Sequence, residues 1–214
     1  MSNRELAERL VAAVPANQPG LFNPWADRCS FDLPGNGPEE KLHRLSAHLD
    51  CEPRFILCGE APGYQGCRHS GVAFTSERLL LEGAIPRISA PSGRLTARRL
   101  PYSEPSATIV WKVLKQLGIE EQTLLWNALQ MHPHKPGNFA SNRTPTDAET
   151  MQGAPAMRLL VEAFPQAKVV AIGRTAEQLL GRMGISTAGQ VRHPANGGAT
   201  LFAQQLEALV ANMR

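Results

Sequence analysis

Apolar residues recur along the chain with two periods, and the alternation between them sets out the architecture. Residues 4–14 place Leu6, Leu10, Val11 and Val14 on one face at helical spacing and stop at Pro15, which predicts a first helix. A second opens at Pro38-Glu39-Glu40, with proline and acids in the first turn, and runs through Leu42, Leu45 and Leu49. Between them, residues 15–38 hold five prolines and three glycines, the composition of a wrapped loop, which Phe22, Trp25 and Phe31 are expected to pin. The pattern then changes to short continuous apolar runs at Arg54–Glu60, Leu124–Leu129 and Lys168–Gly173, with a weaker run at Gly189–Arg192. Runs of that length, each stopped by a polar or glycine-rich loop, mark strands buried on both faces. Helical spacing returns at Ser106–Leu117, Asp147–Phe164, Thr175–Met183 and Thr200–Met213. Strands and helices alternating in this way predict an α/β fold, a three-layer α/β/α sandwich around a central, mostly parallel four-stranded sheet.

Length changes this picture little. A chain of 214 residues has room for one such domain, 1–214, in which 1–50 forms the N-terminal helices and wrap and 82–105 is a basic insertion. A net charge of +3 is too mild to demand or exclude a nucleic-acid partner. The four cysteines, Cys29, Cys51, Cys58 and Cys67, include no C-x-x-C pair to seed a zinc or iron–sulfur site. Cys58 lies inside an apolar run and reads as a buried free thiol, which suits a reducing compartment. No apolar region follows Met1-Ser2-Asn3-Arg4-Glu5, and no apolar stretch approaches membrane-spanning length, so a cytoplasmic monomer without membrane contact is expected.

In a parallel sheet, ligands sit outside the carboxyl ends of the strands. The loop after the first strand, Gly59-Glu60-Ala61-Pro62-Gly63-Tyr64-Gln65-Gly66, lets backbone approach a ligand closely, but it is neither a dinucleotide fingerprint nor a Walker loop. Alone it reads equally as a plain turn. The loop Met131–Thr146 carries His132 and His134 without a third metal ligand, and it reads as a solvated loop or a phosphate-contacting one. A histidine before proline, as at His193, is more often structural, yet this one follows a strand on the same edge as Glu60 and Asn127.

Taken together in chain order, Gly59-Glu60-Ala61-Pro62-Gly63, Gly71-Val72-Ala73-Phe74-Thr75-Ser76, Asn127, Pro136-Gly137-Asn138 with Asn142-Arg143-Thr144-Pro145-Thr146, and His193-Pro194-Ala195 resemble the uracil-DNA glycosylase superfamily. The likeness is greatest to the groups whose first motif reads Gly-Glu-Ala-Pro-Gly, and it runs from about Phe55 to the C-terminus. It implies a DNA repair glycosylase that hydrolyses the N-glycosidic bond of deoxyuridine in DNA, leaves an abasic site and needs no cofactor or metal. Carried over, Phe74 would stack on a flipped base, and Asn127 would read its Watson–Crick edge. His193 would bond uracil O2, and Glu60 would orient the attacking water. Ala61 and Gly63 would line the base, while Asn138, Asn142, Arg143, Asn196 and Gly197 would hold the DNA backbone.

The departures from the family pattern carry expectations too. Ala61 stands where the best-studied group has an aspartate, which makes Glu60 the substitute. Gly63 replaces a tyrosine that excludes the thymine methyl, so another deaminated or mispaired base is an open alternative, as is a non-catalytic DNA-binding member. The cysteine spacing lacks the close N-terminal pair of iron–sulfur relatives, so no cluster is expected. The insertion 82–105, with Arg87, Arg94, Arg98 and Arg99, reads either as a basic flap over DNA or as a solvated insertion.

Overall fold

The computed structural model describes residues 1–213. In chain order its elements are α1 (Asn3–Ala12), β1 (Leu21–Phe22), α2 (Pro38–His48), β2 (Phe55–Gly59), α3 (Cys67–Ser70), α4 (Glu77–Leu81), α5 (Pro105–Leu117), β3 (Thr123–Asn127), β4 (His132–Pro133), α6 (Asp147–Met151), α7 (Ala154–Ala163), β5 (Lys168–Ile172), α8 (Arg174–Arg182), β6 (Gly189–Val191) and α9 (Ala199–Ala211). Strands β3, β2, β5 and β6 form a four-stranded sheet in that order, every pairing parallel, which is the predicted α/β sandwich. The register pairs Gly59 with Asn127 and Ile172 with Val191, so the strands end together along one edge.

Strand alternation assigns side chains to the two faces. Ile56, Cys58, Leu124, Trp126, Val169 and Ala171 enter one apolar cluster, with residues of α1, α2, α7 and α8. Phe55, Leu57, Leu125, Val170, Ile172 and Val191 enter the other, with α5 and α9. Each such side chain, fully buried, contributes about 1.5–3 kcal/mol relative to exposure. Helix α1 begins with a capping box, Ser2 Oγ accepting from Glu5 N and Glu5 Oε2 from Ser2 N.

Several expectations require correction. The stretch 147–164 is two helices, α6 and α7, because the chain at Gly153 passes so close to the Ala128 carbonyl that a Cβ there would collide with it. Leu21–Phe22 pairs antiparallel with His132–Pro133 in a two-stranded ladder that periodicity does not reveal. Phe22 and Trp25 are buried and pin the wrap, but Phe31 is 38% exposed; backbone bonds Leu33 N to Leu95 O and Ala97 N to Phe31 O hold that end of the wrap instead. In the insertion, Arg87 donates to the carbonyls of His48, Glu121 and Thr123, and Arg94 to Glu77. These two arginines brace the fold, which leaves Arg98 and Arg99 as the cations a flap could offer.

Burial holds His48 and His132 neutral, their pKa values lowered to about 3 by desolvation first and by the charges of Arg87 and Arg68 second. His48 Nε2 accepts the Leu125 N–H at 2.9 Å. Folded values below the unfolded one mean that the unfolded chain takes the protons first, so this stability is present above about pH 6.5 and is lost as pH falls toward 3. Urea midpoints are expected to fall from pH 6.5 to pH 4, and His48→Gln to flatten the slope. A midpoint constant across that range contradicts the assignment.

Candidate active site

The carboxyl edge of the sheet opens onto a cavity of about 630 Å³. Four strand ends contribute to it: Glu60, Ala61 and Gly63 after β2, Asn127 at the end of β3, Gly173, Arg174 and Thr175 after β5, and Arg192, His193 and Asn196 after β6. Phe74, Asn142, Arg143 and Glu104 complete the wall from loops outside the sheet.

Phe74 and Asn127 meet over Gly59. A Cβ at Gly59 would lie 2.6 Å from Phe74 Cζ and 2.8 Å from Asn127 Oδ1, so glycine is what lets the ring and the amide reach the strand end. Phe74 holds a left-handed backbone (φ 49°), and Trp111 Nε1 donates to its carbonyl at 2.9 Å. An aromatic residue kept in that conformation by a buried bond is a locally strained feature at a cavity wall, as functional sites often show. Asn127 is 5% exposed, and the bond it receives from Gln130 goes to its backbone carbonyl, so its side-chain amide stays available to a ligand.

The Ala195 N–H donates to His193 Nδ1 at 3.1 Å. Nδ1 is therefore the acceptor, and in the neutral ring the proton sits on Nε2. Burial, then the Arg192 charge, lowers the His193 pKa and keeps the ring neutral. The loop thus presents a neutral N–H donor, with the ring 6.3 Å from that of Phe74. Glu60 lines the cavity half-buried, and burial raises its pKa above the ordinary carboxylate range.

Of the residues predicted for DNA contact, Asn142 and Asn196 line the cavity, while Asn138 and Gly197 are exposed and not part of its wall. Asn138 organises its own loop, its oxygens accepting from Ala140 N and Ser141 Oγ. Arg143 lines the cavity but spends its five N–H groups on the His134, Thr144 and Gly20 carbonyls and on both oxygens of Glu149. In this arrangement it is a brace, and the cations left facing the cavity are Arg174 and Arg192. Sequence reading missed Arg174, though its place directly after a strand was the signal, and it missed Glu104.

One cluster elsewhere, Cys29, Asp32 and His69, brings metal-ligating atoms within 4.8 Å of one another. Asp32 is already bound to Lys41 Nζ (2.5 Å) and His69 Nδ1 (2.7 Å), and Arg68 Nη2 lies 3.6 Å from Cys29 Sγ. Two cations against the ligands suit an internal ion-pair network better than a divalent metal. No helix among the described residues is long and apolar enough to cross a membrane.

The strand ends of a parallel sheet thus bring a glycine loop, an asparagine and a histidine to one cavity with an aromatic ring. The family model described as Uracil DNA glycosylase superfamily matches residues 47–210, and the chain belongs to that superfamily, whose members are generally DNA N-glycosylases. Among solved structures, that of wild-type SMUG2 from Pedobacter heparinus is similar, with a TM-score of 0.63 and 14% identity over 97% of each chain. No curated protein matches at the sequence level.

Proposed function

We propose that the protein excises uracil from DNA by hydrolysing the N-glycosidic bond. The observation that carries this reading is the meeting of Phe74, Asn127, Glu60 and His193 at one cavity from four separate parts of the chain. The flipped base stacks on Phe74. Asn127 donates to uracil O4 and accepts from N3–H; cytosine presents the reverse pattern, and each unmatched buried polar group costs about 1–3 kcal/mol. As the bond from N1 to C1′ breaks, its electron pair moves onto the base and charge gathers at O2, where the His193 Nε2–H donates. Ionised Glu60 stabilises the cationic sugar and takes the proton of the water that attacks C1′. Because this requires the ionised form, activity rises with pH through a Glu60 titration set above the usual glutamate range by burial. Arg174 and Arg192 bind phosphates, so affinity falls with salt.

The space at Gly63 favours a second reading in the same class, a glycosylase for a larger or methylated base. A Cβ there would stand 3.7 Å from Asn142 Nδ2, in ordinary contact, so a side chain can start from this position without backbone strain. Single-turnover excision from oligonucleotides carrying uracil, hypoxanthine, xanthine or mispaired thymine separates the two. Uracil is expected to be fastest, and Gly63→Leu to slow the purines at least tenfold more than uracil. A purine faster than uracil moves the assignment to that base.

A further inference from the structure

The cavity holds a second carboxyl group. Glu104 occupies the N-cap position of α5 without capping the helix, and its side chain turns toward the glycine loop instead. A Cβ at Gly66 would collide with Glu104 Oε2, so the carboxyl fills the space a side chain at position 66 would take. Oε1 accepts from Ser106 Oγ at 3.1 Å, while Oε2 is sealed from solvent and has no hydrogen-bond partner among the described residues. A buried carboxylate oxygen with no donor is costly, and protonation removes the charge. Cys67 of α3 is a buried thiol raised by burial first and by Glu104 itself, with Lys41 opposing, and Asn142 carries no charge. Lys41 bonds Asp32, and Arg78 bonds Ser103 and Thr108, so neither cation donates to the Glu104 carboxyl. Arg143 is held by Glu149, and Glu60 on the same cavity is a further acid. Burial accordingly raises the Glu104 pKa to about 7, against a small opposing effect of Ser106.

At the Gly63 end of the cavity, Glu104 and Asn142 face the same point. A Cβ at Gly63 would be 3.8 Å from Glu104 Oε1 and 3.7 Å from Asn142 Nδ2. The Asn142 Oδ1 atom already accepts from Tyr64 N (3.0 Å), so its amide has donors left to offer there. A neutral carboxyl with its proton on Oε1, the oxygen nearer Gly63, is likewise a donor, and that hydroxyl oxygen can still accept from Ser106 Oγ. Two donors at one end of a cavity match an acceptor oxygen.

We propose that Glu104 is a positioning residue of the substrate site, which works as a neutral acid and donates its proton in a hydrogen bond to an acceptor oxygen of the bound nucleotide. The oxygen belongs either to a base carbonyl or to a phosphate. The inference rests on the nucleotide reading of the cavity given above.

The test combines the full-length protein, Glu104→Gln and Glu104→Ala, with binding and single-turnover excision of a uracil oligonucleotide from pH 5.5 to 9. Glu104→Gln keeps a donor that cannot ionise. It is expected to stay within about threefold of the wild type at pH 6 and to lose the decline in affinity that the wild type shows from pH 7 to 8. Glu104→Ala should bind at least tenfold more weakly at pH 6, with its melting temperature checking the fold. Weakened binding of the abasic product as well places the contact on a phosphate, whereas loss confined to the uracil strand places it on the base. Glu104→Ala indistinguishable from wild type, or Glu104→Gln as impaired as Glu104→Ala, overturns the proposal. So does a carbon-13 titration of the free protein that puts the Glu104 carboxyl in the usual glutamate range. That titration needs no substrate, so it separates this failure from a wild type that neither binds nor cleaves uracil DNA, which would overturn the excision reading instead.

Discussion

His193→Ala is expected to slow uracil excision by about a hundred- to a thousandfold, the cost of removing one preorganised donor from a developing oxyanion. Binding of uracil DNA should change far less, because the Nε2–H works hardest when charge has moved onto O2. The backbone supports this split. Ala195 N–H fixes the tautomer, and burial keeps the ring neutral, so the donor is in place before the bond breaks. His193→Gln, which retains an N–H donor on a longer and less fixed side chain, should recover part of the rate. Equal losses of rate and affinity in His193→Ala would make the residue structural.

The largest effect on stability is expected at Glu77. Its side chain is fully buried and accepts from Arg94 Nε (2.7 Å), Leu95 N (2.9 Å), Thr96 N (3.1 Å), Thr96 Oγ1 (2.6 Å) and Tyr102 N (3.0 Å). Burial alone would push its pKa up; the bonds from Arg94, Thr96, Tyr102 and Leu95 outweigh it and hold the carboxyl at about 2. Glu77→Ala would leave those donors and the Arg94 charge without a partner, at a cost of about 3–5 kcal/mol read from urea unfolding. The stability Glu77 provides is present above about pH 4.5 and is lost as pH falls toward 2. Since this carboxyl knots residues 94–102 to α4, excision should fall too, as the segment that delivers Glu104 loosens. A loss under about 1 kcal/mol would show that the bonds are replaced by water.

The strands were legible because parallel strands buried on both faces leave continuous apolar runs, as at Phe55–Gly59 and Lys168–Ile172. The loops that follow them could be named for the same reason, and Glu60, Phe74, Asn127 and His193 do line one cavity. What stayed hidden depends on neighbours far away in sequence. The break at Gly153 comes from the Ala128 carbonyl, and the inward turn of Arg87 from carbonyls at His48 and Thr123. Arg143 looked like a phosphate ligand because its partner Glu149 lies across a loop whose path the residues alone do not give. Glu104 gave no signal in the sequence, since nothing local says that its carboxyl fills the space beside Gly66.

In the proposed function, this cavity breaks the bond between uracil and deoxyribose. The most direct measurement incubates purified protein with an end-labelled oligonucleotide containing one uracil and then treats it with alkali. A strand cut is expected at the uracil position, with none at cytosine in a matched control. Intact strands after prolonged incubation with excess protein would contradict it.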